Sequence, residues 1–81
     1  MIKVTIKCFS QVKYALDKNE LILELENGTS SSDLEKIIRK KANGKLDDIS
    51  LRIAINQQYV SENTKLKDDD EVAFIPPVQG G

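Results

Sequence analysis

Histidine and tryptophan are absent from the sequence, and cysteine occurs once, at Cys8. A Ser-His-Asp triad, a Cys-His nucleophilic pair and a Cys/His zinc site are therefore excluded, and any metal ion would have to be held by carboxylates. One cysteine cannot form an internal disulfide, and no basic and then apolar leader opens the chain. We therefore expect a protein of a reducing compartment, the cytoplasm.

An excess of charge of one sign and a long apolar run are also missing. The 12 Lys and Arg residues face 13 Asp and Glu residues, for a net charge of -1, so no basic footprint indicates a nucleic acid partner. No apolar run approaches the ~20 residues that cross a bilayer, so no membrane partner is expected. With 81 residues, 40% of them hydrophobic, the composition is that of one small folded domain.

Alternation of apolar and polar residues predicts strands, because successive side chains of a strand point to opposite faces. The first example is Ile2, Val4, Ile6 and Cys8, interleaved with polar residues; Cys8 is thereby predicted to be a small core residue rather than a sulfur relay. A weaker spacing at residues 12–16 predicts one or two helical turns. The predicted strands cover residues 2–8, 21–26, 51–56, 59–60 and 71–75.

One main helix is predicted between the second and third strands. Ser32-Asp33-Leu34-Glu35 has the pattern of a capping box, which would start the helix at Ser32. Asn43-Gly44 supplies the left-handed residue that ends helices. The apolar stripe consists of Leu34, Ile37, Ile38 and Ala42, and the solvated face carries Lys36, Arg39, Lys40 and Lys41.

The predicted order is strand, strand, helix, strand, short strand, strand. This is the order of the ubiquitin-like β-grasp fold, of class α+β, in which one main helix covers a mixed sheet. A right-handed crossover is expected to lay the first and last strands side by side at the centre. We expect residues 1–77 to form this domain and residues 78–81 to form a flexible Gly-Gly tail.

Since the catalytic triads, Cys-His pairs and zinc sites named above are excluded, the one remaining reactive group is the C-terminal carboxylate of Gly81, in the tail. Glycines lack a Cβ, so the tail could thread a narrow channel and present the carboxylate to the active site of a second protein. A frayed chain end that does nothing is the alternative.

The end of the chain carries a family resemblance. Three motifs occur in register there: Glu71-Val72-Ala73, Pro76-Pro77 and Gly80-Gly81. Together with residues 54–60 and the opening Met1–Val4, these motifs closely resemble the MoaD family, the small subunit of molybdopterin synthase. Related thiamine-pathway carriers share the Gly-Gly end but generally lack the Pro-Pro step.

The sequence departs from that family at two positions. Asp69 stands where Gly is usual in the turn before the last strand, and Asp tolerates a left-handed conformation at modest cost. Gln79 stands where Ser or Thr is common, and its longer side chain bears on which partner channel accepts the tail.

The resemblance implies a sulfur carrier. In that family an E1-like adenylating enzyme (MoeB-like) activates the terminal carboxylate with ATP, and a sulfur donor then forms a thiocarboxylate. The tail enters the large synthase subunit (MoaE-like) to sulfurate cyclic pyranopterin monophosphate. By this resemblance Gly81 carries the chemistry, this chain needs no cofactor or metal of its own, and it acts as a non-catalytic sulfur-donating subunit of a sulfurtransferase complex.

The resemblance also implies a tail and partner-binding segment. Phe74 and Ile75 are adjacent in the last strand and so point to opposite faces. Ile75 is our first choice for the outward residue, which together with Pro76 and Pro77 would form an apolar patch beside the tail, and Phe74 is the alternative. The whole segment is Phe74, Ile75, Pro76, Pro77, Val78, Gln79, Gly80 and Gly81.

Other functions stay open on the sequence. The chain could carry sulfur for thiamine synthesis or tRNA thiolation, act as a ubiquitin-like protein modifier, or be a β-grasp binding module with an inert tail. Asp68-Asp69-Asp70 lacks the spacing of a calcium loop and is predicted to be a turn.

Overall fold

The computed structural model describes residues 1–61 and 63–77, and this part of the chain contains five strands and two helices. The predicted tail, Val78, Gln79, Gly80 and Gly81, lies outside the described residues. None of the helices described is long and apolar enough to cross a bilayer. The elements are β1 (Ile2–Cys8), α1 (Ser10–Leu16), β2 (Glu20–Leu25), α2 (Ser31–Lys41), β3 (Arg52–Ile55), β4 (Gln58–Tyr59) and β5 (Glu71–Ile75).

The strands form one mixed sheet in the order β2-β1-β5-β3-β4. The central strands β1 and β5 are parallel, and the other neighbouring pairs are antiparallel. A parallel pair needs a long crossover, which the chain between β1 and β5 supplies. The predicted β-grasp fold, with the first and last strands adjacent at the centre, is confirmed.

The core lies on the face of the sheet that α2 covers. Every second residue of β1 and β5 points into it, and Phe74 is its largest fully buried side chain. Cys8 is buried there, as predicted. The fully buried apolar residues are Val4, Ile6, Val12, Leu34, Ile38, Leu46, Val72 and Phe74. The opposite, open face carries the other residues of each strand, such as Lys7, Ala73 and Ile75, which are all half-buried.

The capping box of α2 lies two residues earlier than predicted. Ser30 is the N-cap, and its hydroxyl accepts a hydrogen bond from the Asp33 amide at 3.2 Å. The Asp33 carboxylate accepts in return from the Ser30 amide at 3.1 Å. The predicted box from Ser32 to Glu35 is wrong because the Glu35 carboxylate instead accepts from Arg39, one turn on, at 2.9 Å.

Hydrogen bonds from Ser30, first from its backbone amide and then from its hydroxyl, hold the pKa of Asp33 below its ordinary value. The folded state therefore favours the ionised form of the Asp33 carboxylate. Its contribution to stability is fully present above the ordinary pKa and is lost as the pH falls through the lowered one.

Replacing Ser30 with Ala should destabilise the protein by about 1 kcal/mol, because the amide at the third helical position loses its acceptor. Ser32→Ala is the matched control, since the hydrogen bonds of the Ser32 hydroxyl among residues 1–61 and 63–77 are to the Ser30 hydroxyl and the Asn63 side chain, not to a helix amide. Urea denaturation of both variants measures the difference. A larger loss for Ser32→Ala than for Ser30→Ala would contradict the observed cap.

Candidate functional site

The root of the tail is the end of the central strand β5. Phe74 is fully buried, whereas Ile75 is half-buried on the open face. The outward position is therefore Ile75, the first of the two alternatives, and contact between Ile75 and a partner stays a prediction. Pro76 is also buried, because it continues the inward series of Val72 and Phe74. The predicted patch is thus wrong in including Pro76, and the exposed Pro77 is the last residue described before the tail.

A shallow depression of about 250 Å³ opens on the sheet beside Ile75. Two small residues form its floor, since Ala54 of β3 pairs with Ala73 of β5. Larger apolar side chains surround this floor. We call the apolar patch the set Phe9, Ala54, Tyr59, Ala73 and Ile75.

Two members of the apolar patch, Phe9 and Tyr59, were not among the predicted site residues. Phe9 directly follows β1 and is 50% exposed, and Tyr59 of β4 is 59% exposed. Tyr59 pairs with Ala54 across the β3-β4 hairpin, which brings its ring to the open face. The available sequence signal was an aromatic residue directly after the first predicted strand and another at the start of the fourth. Large exposed aromatic side chains are typical of contact surfaces.

Charged side chains border the apolar patch on two sides. On the β1 side, the Lys7 ammonium donates to the Glu20 carboxylate at 2.6 Å, and this contact is the main reason that the pKa of Lys7 is raised. Glu71 adds a smaller upward effect on that pKa. On the β3 side, the Arg52 guanidinium carbon lies 4.4 Å from the centroid of the Tyr59 ring.

Among the described residues, neither a reactive thiol nor a metal site lies near the patch. Burial is the first cause of a raised pKa for the Cys8 thiol, so it is held in the less nucleophilic thiol form. Residues 1–61 and 63–77 contain no cluster of His, Cys, Asp or Glu that could hold a metal ion.

The acidic segment before β5 is a turn, as predicted. Asp69 has a φ of 69°, the left-handed conformation that its position requires. The Asp68 carboxylate accepts from the Lys3 amide at 2.8 Å, and the Asp70 carboxylate accepts from the Lys67 amide at 2.8 Å and from Asn56 at 3.0 Å. These bonds fix the start of β5, at the opposite end of the strand from the tail.

The sequence of the chain is similar to those of known proteins. The model of the ThiS family matches residues 6–81. The molybdopterin synthase sulfur carrier subunit of Mycobacterium tuberculosis is 37% identical over 83 residues, with all of both chains covered.

Solved structures show the same likeness. A structure from Pyrococcus furiosus, provisionally described as subunit 1 of a molybdopterin converting factor, superposes with a TM-score of 0.87 at 31% identity, covering 96% of this chain and 100% of that one. A complex of subunits 1 and 2 of the molybdopterin-converting factor from Helicobacter pylori gives a TM-score of 0.70 at 25% identity, with 99% of this chain and 100% of the matched chain covered.

A protein modifier is similar as well. The small archaeal modifier protein 1 of Methanosarcina acetivorans superposes with a TM-score of 0.79 at 27% identity, covering 100% of this chain and 98% of that one. The same fold therefore occurs in proteins that are described as having different roles.

Proposed function

The chain belongs to the ThiS family, and from this premise we propose that it is a sulfur carrier, the small subunit of a molybdopterin synthase. The resemblance to the MoaD family that the end of the chain indicated is confirmed by relatives similar over their whole length. The observation that carries the proposal is this whole-length similarity to sulfur carrier subunits, with a family model that matches through Gly80-Gly81.

The proposed chemistry takes place at the Gly81 carboxylate. A carboxylate resists nucleophiles, so an E1-like enzyme first joins it to AMP from ATP, with pyrophosphate as the leaving group. Sulfide from a sulfur donor then attacks the acyl carbon, and AMP leaves. The resulting thiocarboxylate sulfur is a better nucleophile than oxygen and attacks cyclic pyranopterin monophosphate in the large subunit. Hydrolysis of the acyl–sulfur bond then leaves the sulfur on the pterin and returns Gly81 to a carboxylate.

The described residues suit a carrier whose partners supply the catalytic groups. The Cys8 thiol is buried and un-ionised, and the sequence has no histidine. The adenylating enzyme and the large subunit would therefore provide the general acids, bases and metal ions, while this chain supplies the tail and a docking surface.

The apolar patch is the proposed docking surface for the large subunit. Its member Ile75 is the last residue of β5, shortly before the tail in the sequence, so a partner that covers the patch would also meet the start of the tail. The Helicobacter pylori structure supports a two-subunit arrangement, because it contains subunit 1 together with subunit 2.

A protein modifier is the second candidate, favoured by the likeness to the small archaeal modifier protein. The activated Gly81 carboxyl group would then form an isopeptide bond with a lysine of a target protein. A carrier for thiamine synthesis or tRNA thiolation would share the thiocarboxylate and differ in its acceptor.

Reconstitution tests the proposal. The chain is incubated with an E1-like adenylating enzyme, ATP and sulfide, and its intact mass is measured. The mass should rise by the difference between sulfur and oxygen, and the product should then sulfurate the pterin precursor when the large subunit is added. Cys8→Ala, which removes a buried thiol of the core, should be charged like the wild type. An unchanged mass, or conjugates to lysines without pterin conversion, would overturn the proposal.

A further inference from the structure

The charges around the apolar patch are divided by sign. Lys7 of β1 is neutralised by Glu20, and Glu71, the first residue of β5, adds a further carboxylate, so the side of the patch towards the start of β5 has an excess of negative charge. Arg52 of β3 lies on the opposite side, level with Ile75 at the end of β5, and residues 1–61 and 63–77 supply no ion-pair partner for it. The patch therefore has an acidic side and a basic side.

Arg52 is held at the edge of the patch. It pairs with Ile75 across β3 and β5, which places it beside the last residue of the central strand. Its guanidinium stacks on the Tyr59 ring. Stacking restrains the long side chain while leaving the N-H groups at the guanidinium edge free to donate, so less conformational freedom is lost when a partner binds.

A protein that covers the patch must accommodate both charges. An arginine that loses its bound water without gaining a hydrogen-bond acceptor weakens a complex. A carboxylate on the partner would prevent this loss, because it can accept two parallel hydrogen bonds from the planar guanidinium group. The same argument requires a cation near Glu71. Charge pairs at the edge of an interface mainly guide association and fix the orientation of the partner.

We propose that the large-subunit surface covering the apolar patch carries a carboxylate opposite Arg52 and a basic side chain opposite Glu71. This inference rests on the proposed function and adds the chemistry of the partner. The two contacts lie on opposite sides of the patch, so they define a single orientation. A large subunit rotated by half a turn would set its carboxylate against Glu71 and its cation against Arg52.

Charge reversal at Arg52 and Glu71 tests this inference. Binding of Arg52→Glu and Glu71→Lys to the large subunit is measured by titration calorimetry at low and at high ionic strength. Each variant should bind about tenfold more weakly than the wild type at low ionic strength, because like charges then face one another. The deficit should shrink at high salt, since exposed charges are screened.

The matched control for Arg52→Glu is Lys40→Glu, which makes the same charge change on the exposed side of α2, away from the patch. It should bind with the wild-type affinity, and circular dichroism checks that each variant is folded. Unchanged or tighter binding of Arg52→Glu, with the wild type still binding, would overturn this inference and leave the sulfur-carrier proposal standing. Absence of binding by the wild type itself would overturn both.

Discussion

Deletion of Gly81 is expected to abolish sulfur transfer while leaving the domain folded, and addition of one residue after Gly81 is expected to do the same. Either change displaces the terminal carboxyl group by about 3.5 Å along an extended tail. The reacting atoms of adenylation and sulfur transfer must meet within a far smaller tolerance, since misplacement by 1 Å can cost on the order of 100-fold in rate. The core residues among 1–61 and 63–77 include none beyond Phe74, so stability should not change.

The measurement is thiocarboxylate formation by intact mass, followed by pterin conversion with the large subunit. Circular dichroism establishes that each variant is folded. A glycine added before Met1, which is 74% exposed at the other end of the chain, is the matched control for added length and should leave turnover unchanged. Near-normal turnover by either tail variant would rule out a mechanism at the terminal carboxylate.

The strands could be predicted closely because their period is simple. β5 was predicted at residues 71–75 and is observed there, with Val72 and Phe74 inside. The start of α2 was harder, since Ser30 with Asp33 and Ser32 with Glu35 both fit a capping box. Tertiary contacts decide between them: Arg39, which engages Glu35, also donates to the carbonyl oxygens of Leu46 and Ile49.

The apolar patch could be predicted only in part. Alternation predicts that Phe74 and Ile75 point to opposite faces of the sheet, but it does not show which of the two faces is buried. Phe9 and Tyr59 were missed because they reach the patch through the pairing of β5 with β1 and β3, over long sequence separations. Pro76 was misplaced because the inward alternation of β5 extends one residue beyond the strand.

A lysine at position 75 is expected to abolish binding to the large subunit while the domain still folds. Ile75 is half-buried on the open face, so its replacement leaves the core intact. In the complex the ammonium group would be desolvated in an apolar contact, which typically costs several kcal/mol and weakens affinity by orders of magnitude. Arg52 lies opposite position 75 and would add a like-charge repulsion. Phe74→Lys, by contrast, should fail to fold, because Phe74 is fully buried in the core.

Titration calorimetry of Ile75→Lys against the large subunit, with circular dichroism of the free variant, measures this loss. Phe9→Lys provides a second probe of the apolar patch at an exposed position outside the strands, so the test stands even if Ile75→Lys is unstable. Tyr14→Lys is the matched control, since Tyr14 is 80% exposed on α1, away from the patch. Ile75→Lys and Phe9→Lys should both still be converted to the thiocarboxylate if the adenylating enzyme binds a different surface of the domain. Wild-type affinity in both would mean that the large subunit holds only the tail, or that the partner has been wrongly assigned.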